Sequence, residues 1–282
     1  MSGVNFGVYI TNFSIFESPN DYIDLAVEAE KAGWDGFFLW DHTVNESGNP
    51  STDPFITASA IAAKTYKIKI GFTVSGLPKR KPWLLARILT TLDHISNGRM
   101  ILGVGLGSPE DYITFNEEYV PKILGEKLDE SLEILRGLFE KKKFSYSGKH
   151  YTIKDAKFEP KPLQKPFPIW VGGHWPKKKP MRRAAKNQGV FPLKYGSDDI
   201  LNPKEYKEIM NFIKERRDNI DNFDFVLSMF TYGDNKEKDA WIKEYIDLGV
   251  NWLVECVWPG FGTKEEVFKR IKLGPPDYWG FK

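Results

Sequence analysis

The sequence predicts an α/β protein, a (β/α)8 TIM barrel with an insertion after the fourth βα unit, formed by residues 1–282 as one domain. Three observations lead to this fold class. Short apolar runs with strand composition recur along the chain, and most are followed by a stretch with helical periodicity. Eight such runs are present, which is the number of strands that closes this barrel. The length of 282 residues suits one barrel.

The predicted strands are spaced so that a helix fits between most of them, as repeated βα units require. We expect parallel pairing throughout the barrel. In chain order the eight runs are Asn5–Ile10, Gly36–Trp40, Lys69–Val74, Met100–Gly105, Pro168–Gly172, Gly189–Leu193, Asp224–Thr231 and Trp252–Val257.

Capping residues and prolines mark the starts of the predicted helices. Asn20 or Ser18 can cap the first helix, which ends at Gly33. Three further helices begin at a proline, because its missing N–H costs nothing in the first turn; these residues are Pro54, Pro82 and Pro203. Between Phe144 and Pro162 alternating aromatic and polar residues predict a β-hairpin or an irregular insertion rather than a linker.

Composition argues against several functional classes. Forty basic and thirty-eight acidic residues leave a formal charge of +2, so we expect a small-molecule substrate rather than nucleic acid or a membrane. The single cysteine, Cys256, cannot form an intramolecular disulfide, and the first residues lack the features of a signal peptide, so we expect a cytoplasmic protein. No apolar run approaches the roughly 20 residues of a membrane span. The histidines lack ligand-like spacing, and we expect no catalytic metal.

In such a barrel the chemistry lies in the loops after the carboxyl ends of the strands. His42 is the strongest candidate, because an imidazole can donate or accept a proton near neutral pH, and the adjacent Asp41 can tune it. Neighbours on an extended chain point opposite ways, so Asp41 can instead bind a backbone donor. The remaining candidate loops are Ser75–Arg80, Gly105–Glu110, Gly172–Trp175, Lys194–Gly196, and Glu255 with Trp258–Gly262.

Two glycine-rich stretches are further candidates. The run from Gly103 to Gly107 leaves little side-chain bulk, so a flat ring or a backbone can approach, although it lacks the dinucleotide-binding pattern. Gly172, Gly173 and His174 precede a predicted helix start near Pro176 and can offer backbone N–H groups to a phosphate.

Several segments, in this order and over nearly the whole chain, resemble the luciferase-like monooxygenase superfamily. They are Ala29–Gly33, Gly36–His42, Asp53–Phe55, Leu92–Arg99, Met100–Gly107, Pro160–Gly173, Arg182–Ala185 and Gly189–Phe191. The resemblance implies a barrel, often dimeric, that binds FMN or coenzyme F420 with the ring at the barrel mouth.

The resemblance also implies roles for particular residues. It implies a bulge with a non-prolyl cis peptide that supports the ring, and it places His42 beside the ring as a proton donor or base. It gives Gly172 and Gly173 contacts to the phosphate side of the cofactor. The bulge and the glycines after the fourth strand correspond to Thr73, Val74, Ser75, Gly76, Gly105 and Gly107.

One position departs from the pattern of the superfamily. Deazaflavin-dependent sugar-phosphate dehydrogenases carry an acidic residue immediately after the glycine-rich fourth strand, where this chain has Ser108. Glu110 is the nearby substitute.

The first functional hypothesis is therefore redox chemistry with a reduced flavin-type cofactor. FMN implies monooxygenation, with a separate reductase as a partner, and F420 implies hydride transfer without oxygen chemistry. Two other hypotheses stay open: a non-catalytic flavin-binding protein on the same fold, and an aldolase or isomerase with a reactive lysine such as Lys194.

Overall fold

Eight parallel strands form a closed barrel. The computed structural model describes residues 3–13, 16, 18–45, 48–197, 199–229, 236–258, 260 and 262–275, with the backbone alone for 236–240. The barrel strands are β1 (Asn5–Ile10), β2 (Gly36–Leu39), β3 (Lys69–Gly76), β4 (Met100–Gly105), β7 (Ile169–Trp175), β8 (Gly189–Lys194), β9 (Asp224–Met229) and β10 (Trp252–Val257). Each strand pairs with the next in this order, and β10 pairs with β1.

Helices surround the barrel, and each α-helix lies in a connection between strands or after the last one. They are α1 (Pro19–Lys31), α2 (Pro54–Lys64), α3 (Pro82–Ile95), α4 (Glu110–Ile113), α5 (Pro121–Glu140), α6 (Lys178–Ala184), α7 (Pro203–Lys214), α8 (Lys236–Leu248) and α9 (Lys264–Lys272). An antiparallel hairpin, β5 (Phe144–Ser147) with β6 (Thr152–Ala156), lies between α5 and β7. Within the part of the chain described, none of the helices has both the length and the apolarity to cross a bilayer.

The (β/α)8-barrel fold class is confirmed, and most element boundaries agree with the sequence. Ser18, rather than Asn20, caps α1, since its hydroxyl accepts from the N–H of Asn20 at 3.2 Å. The three prolines are each the first residue of their helix. Three strands are longer than predicted: β3 continues to Gly76, β7 to Trp175 and β8 to Lys194. Strand β2 is one residue shorter and ends at Leu39. The predicted end of the seventh run, residues 230 and 231, lies outside the described residues.

Apolar side chains form two separate layers. One layer fills the space between the barrel and the helices. The second fills the barrel lumen and is mostly aromatic; its members are Tyr9, Phe38, Ile101, Trp170, Phe191, Val226, Trp252, Val254 and Cys256, with Trp40, Val74 and Leu193 packed against them. Because side chains close the lumen, a ligand can reach the barrel only at its ends.

The Leu92–Arg99 segment, the most distinctive part of the resemblance, is structural. Arg99 precedes β4 and its buried guanidinium donates to the carbonyls of Ala62, Thr65, Ile68 and Ser96 at 2.6–2.9 Å. Two of these carbonyls belong to the end of α2, where backbone acceptors lack partners within the helix. This arginine therefore ties α2 and β3 to β4 at the end of the barrel opposite the candidate site.

Replacing Arg99 by alanine is expected to lower the free energy of unfolding by about 3 kcal/mol, because several buried carbonyls lose a charged donor. Urea denaturation followed by circular dichroism measures this loss. The control is Lys67→Ala, an exposed neighbour on the same side of the barrel, for which a change within about 0.5 kcal/mol is expected. Equal stability of the two variants would contradict the assigned role.

Candidate functional site

The candidate site lies at the carboxyl ends of the barrel strands, above the aromatic side chains of the lumen. Trp40 follows β2 and stacks on Tyr9, with ring centroids 5.2 Å apart. Tyr9 in turn meets the edge of Phe191 at 5.4 Å. Burial raises the pKa of the Tyr9 phenol, with a smaller contribution from Cys256, so this hydroxyl stays neutral. The floor of the site is therefore apolar and uncharged.

Strand β3 bulges where the sequence placed the cofactor support. The Thr73–Val74 peptide bond is cis, and the pairing of β3 with β4 shifts register between Phe72 and Ser75. As a result, the Val74 side chain lies against Gly105 of β4 and Gly172 of β7. A methyl group added to Gly105 would lie 2.8 Å from a Val74 methyl, and one added to Gly172 would lie 2.7 Å from the other. Gly105 and Gly172 thus make room for Val74.

The structure corrects the interpretation of Gly172, Gly173 and His174 as a loop. All three belong to β7 and pair with Phe191, Pro192 and Leu193 of β8. A Cβ on Gly173 would lie 2.2 Å from Pro180, so this glycine permits close packing of α6. The helix itself begins at Lys178, two residues after Pro176, as predicted. The sequence predicted that this strand ends at Gly172, because glycine is uncommon inside strands, whereas β7 continues to Trp175.

His174 lies at the end of β7, on the same rim. Its ring meets the edge of Tyr195 at 6.1 Å. Partial burial lowers the pKa of His174, and the charge of Lys177 lowers it further. We therefore expect this imidazole to be neutral at pH 7.

Gly76 and Gly107 bring the ends of β3 and β4 together. A Cβ on Gly76 would lie 2.9 Å from the Cα atom of Gly107. Gly107 has a φ of 86°, a left-handed conformation that favours glycine. This turn directs the chain into α4, whose Asp111 and Tyr112 are buried.

His42 is held in place by its backbone and by its ring. Asn12, after β1, accepts from the His42 N–H at 3.0 Å and donates to the His42 carbonyl at 2.7 Å. The imidazole is flanked by Phe13 and Trp40, with centroids 5.3 and 5.5 Å away. Its Nδ1 atom lies 3.4 Å from Oδ2 of Asp111. With Nδ1 facing a carboxylate, Nε2 is the atom left to exchange a proton with a ligand.

Asp111 is the functional candidate that the sequence reading missed, because the candidate loop was ended at Glu110. Its buried carboxylate accepts from the Thr43 N–H at 2.6 Å and from the Lys79 ammonium at 3.0 Å. Burial alone would raise the pKa of Asp111. The hydrogen bonds from His42, Thr43 and Lys79 outweigh burial and hold the pKa well below its ordinary value. Asp111 is therefore ionised beside His42 at neutral pH.

Asp41 does not pair with the His42 ring. Its Oδ2 atom accepts from the Ser75 hydroxyl at 2.6 Å, and its Oδ1 atom accepts from Arg80 at 2.8 Å. The Asp41 backbone carbonyl also accepts from Lys79 at 2.8 Å. Asp41 thus fixes the loop after β2 against the bulged end of β3. The predicted tuning of His42 falls to Asp111 instead.

Ser108 and Glu110 lie beside this pair. The Ser108 hydroxyl donates to the Glu110 carboxylate. This hydrogen bond is the main reason why the pKa of Glu110 is lowered, and the nearby His42 also contributes. Glu110 therefore adds a second negative charge near the imidazole.

Two other sequence candidates face away from the lumen. Lys194 lies 3.7 Å from Glu205 of α7, while its strand neighbour Leu193 packs against the lumen side chains. Glu255 accepts from Arg270 of α9 at 2.5 Å. The lysine of the aldolase hypothesis therefore lies at the rim with its ammonium directed toward α7 rather than into the barrel. Part of the predicted Trp258–Gly262 loop, residues 259 and 261, lies outside the described residues.

Two buried polar atoms near the mouth have no hydrogen-bond partner among the described residues. They are the indole N–H of Trp40 and the hydroxyl of Thr73. Buried donors without partners are uncommon in folded proteins, and a bound ligand is one way to satisfy them. Trp40 directly follows β2, and Thr73 lies beside it within the adjacent strand β3, since Leu39 pairs with Phe72.

Comparisons with known sequences agree with this architecture. The model of the luciferase-like monooxygenase family matches residues 4–251. An uncharacterized protein of Mycobacterium tuberculosis (strain ATCC 25618 / H37Rv) is 31% identical over 228 residues, which cover 73% of this chain and 75% of that protein. An F420-dependent glucose-6-phosphate dehydrogenase of Microbacterium testaceum is 32% identical over 165 residues. That match covers 56% of this chain and 48%, about half, of the dehydrogenase.

Three solved structures share the fold. The coenzyme F420 dependent tetrahydromethanopterin reductase of Methanopyrus kandleri has a TM-score of 0.75 at 17% identity, covering 98% of this chain and 99% of its own. An F420-dependent secondary alcohol dehydrogenase has a TM-score of 0.79 at 15% identity, covering 97% and 100%. A monooxygenase of Streptomyces bottropensis has a TM-score of 0.78 at 17% identity, covering 95% and 97%. At these identities the likeness concerns the fold alone.

Proposed function

Since the chain belongs to the luciferase-like monooxygenase family, we propose that it is an oxidoreductase that acts on a small organic substrate with FMN or coenzyme F420. The observation that carries this proposal is His42, held against Asp111 above an aromatic floor. A proton-transfer group beside an apolar surface is what a planar redox cofactor and its substrate require.

The residues at the mouth fit a flat, polar-edged ring system. Val74 and Trp40 offer apolar surface, and the Thr73 hydroxyl and the Trp40 N–H offer donors that lack partners among the described residues. We propose that these residues, with Ser75, Gly76 and Gly107, hold the cofactor ring. His174 would lie toward its phosphate side.

The residues of this chain have distinct tasks in the proposed reaction. Asp111 and Lys79 orient the imidazole, and His42 holds or moves a proton at Nε2. Tyr9, Trp40 and the lumen side chains exclude water from below. When bound, the reduced cofactor would supply an electron pair at its ring: F420 would transfer it as a hydride to the substrate, and FMN would transfer it to the substrate or to molecular oxygen. A separate reductase is proposed as the source of the reduced cofactor.

Anaerobic titration of the purified protein tests this proposal. Oxidised and reduced FMN and F420 are added in turn, and binding is followed by cofactor absorbance or fluorescence. Saturable binding of at least one compound is expected, and its loss in a Thr73→Val/Trp40→Phe double variant would place it at the mouth. Failure of all four compounds to bind would overturn the proposed function.

We further propose that the protein forms a homodimer through helices α2 and α3. A groove of about 1,110 Å³ lies between these helices, and it exposes Ile56, Leu84 and Ile88 beside the small residues Ala60 and Ala63. A two-fold axis would place the large side chains of one copy against the small ones of the other. Fifteen residues line the groove, enough for the centre of a standard interface. Sedimentation equilibrium decides between the mass of one chain and that of two.

A further inference from the structure

The loop after β1 places an aromatic side chain beside the candidate proton-transfer group. The Phe13 ring is nearly perpendicular to the His42 ring, with centroids 5.3 Å apart, and to the Trp40 ring, with centroids 6.1 Å apart. Trp40 in turn stacks on Tyr9 of the lumen. Because Phe13 is only half-buried, part of its side chain is still accessible. Phe13 therefore continues the aromatic floor of the site along the side on which His42 lies.

The backbone at Phe13 is held from both directions. The Thr11 hydroxyl donates to the Phe13 carbonyl at 2.5 Å, and Phe13 forms an antiparallel bridge with Ser51. The buried Asn12 exchanges two hydrogen bonds with the backbone of Thr52, at 2.8 and 2.9 Å. A side chain on a fixed backbone loses little freedom when a ligand packs against it. Phe13 is therefore a preorganised wall of the site.

The charged side chains of the network around His42 do not offer an unpaired cation. This network contains two cations and three carboxylates, which are Lys79, Arg80, Asp41, Glu110 and Asp111. Each cation forms an ion pair with one of the aspartates, at 3.0 Å for Lys79 and 2.8 Å for Arg80. The remaining carboxylate, Glu110, accepts from the neutral hydroxyl of Ser108. Negative charge is therefore in excess beside the imidazole.

The opposite side of the mouth is apolar. Strand β8 lies opposite β2 in the closed barrel, and its Phe191 and Leu193 belong to the lumen layer. The ammonium of Lys194 lies 3.7 Å from Glu205 of α7. A phosphate or carboxylate that leaves water needs a charged donor in exchange. The described residues on these two sides of the mouth instead supply aromatic and aliphatic surface.

We propose that Phe13 is a specificity-determining residue that packs against an uncharged, apolar substrate, while the carboxylates beside His42 exclude anionic ones. The inference rests on the proposed function, because it assumes that the substrate reacts next to His42. A compound with an apolar ring and one hydroxyl or carbonyl group has the required chemistry. Its ring contacts Phe13, and its polar group meets Nε2 of His42.

The test compares benzyl alcohol with para-(hydroxymethyl)benzoate, which has the same ring and hydroxyl group and adds one carboxylate. The protein is first saturated with an oxidised cofactor that binds it, and the Kd of each alcohol is then measured by ligand-observed NMR. Benzyl alcohol is expected to bind about tenfold or more tightly at low ionic strength, and salt is expected to reduce the difference. Equal affinity, or tighter binding of the carboxylate, would overturn the inference.

Variants of Phe13 locate the apolar contact. Phe13→Ser is expected to weaken benzyl alcohol binding about tenfold, whereas Phe13→Leu keeps an apolar wall and should stay within about threefold. Phe13→Arg adds a cation beside His42 and is expected to strengthen binding of the carboxylate about tenfold. The matched control is Tyr66→Arg, which adds the same cation at an exposed aromatic residue between α2 and β3, at the other end of the barrel. It should bind both alcohols like the parent protein.

A variant of Glu110 tests the exclusion of anions. Glu110→Gln removes one negative charge near His42 and is expected to strengthen binding of the carboxylate about threefold, with no change for benzyl alcohol. Glu117→Gln removes an equal charge from an exposed residue and is the control. Equal effects of the two variants would trace the discrimination to net charge and overturn the local role of Glu110.

The outcomes separate the substrate inference from the proposed function. Failure of every cofactor to bind would reject the proposed function before either alcohol is added. A protein that binds a cofactor but neither alcohol would overturn the substrate class alone. Unchanged affinity of Phe13→Ser for benzyl alcohol would overturn the role of Phe13.

Discussion

Replacing His42 by asparagine is expected to lower turnover by about two to four orders of magnitude, the usual contribution of a positioned general acid or base. The change removes the imidazole that is proposed to hold or move a proton but leaves the backbone bonds to Asn12 intact, since these involve the main chain of residue 42. We therefore expect the fold and the cofactor Kd to be kept. Steady-state kinetics and a binding titration on the same sample measure the two effects.

A second histidine provides the matched control for this variant. His94 lies on α3, and its ring contacts the carbonyl of Lys161 at 2.8 Å, away from the mouth. His94→Asn makes the same chemical change and is expected to retain full turnover. If His42→Asn turned over as fast as His94→Asn, the proton-transfer role of His42 would be overturned. A parent protein that bound the cofactor but turned over no substrate would instead be a flavin carrier.

Asp111→Asn is expected to reduce kcat by about ten- to a hundredfold, as is typical when the partner that orients a functional imidazole is lost. The amide keeps the size of the side chain but removes its charge, so the His42 Nδ1 atom and the Lys79 ammonium lose their shared carboxylate. Because Asp111 acts through His42, cofactor affinity should change little. Glu117→Gln, an exposed acid just after α4, is the control and should leave kcat unchanged.

The same variant has a pH-dependent effect on stability. The folded protein lowers the pKa of Asp111, so its ionised carboxylate stabilises the fold above the ordinary aspartate pKa of about 3.9. This contribution is lost as the pH falls through the lower folded pKa. We expect Asp111→Asn to be less stable than the parent by about 1–3 kcal/mol at pH 7, and the difference to shrink below pH ~4. A difference that grew on acidification would contradict the assigned charge state.

Local signals in the sequence were sufficient to predict the barrel. Three prolines and one N-terminal cap predicted the starts of four helices. Three strands also have the predicted bounds. Both kinds of boundary are set by residues close together in the sequence, so the sequence alone is sufficient to predict them. The position of His42 at the mouth followed from the topology alone. Its true partner did not, because Asp111 approaches from a different βα unit and no spacing rule links the two.

The glycines show a second limit of sequence reading. Gly105 was interpreted as space for a flat ring or a backbone, and Gly172 as a backbone donor to a phosphate, since glycine indicates that a side chain is missing. A sequence does not say what fills the space. Here the bulge in β3 turns the Val74 side chain into it, and pairing with β8 keeps β7 extended through Gly173.

The close contacts of Val74 with two glycines make residues 74, 105 and 172 a single steric unit. Alanine at 105 or 172 would overlap the valine methyl groups, so such a change becomes acceptable only after residue 74 has become smaller. Substitutions at these three sites should be strongly non-additive, and the order in which they arise should matter. A series of substitutions that changes the shape of this part of the mouth would therefore have to start with a smaller residue at position 74.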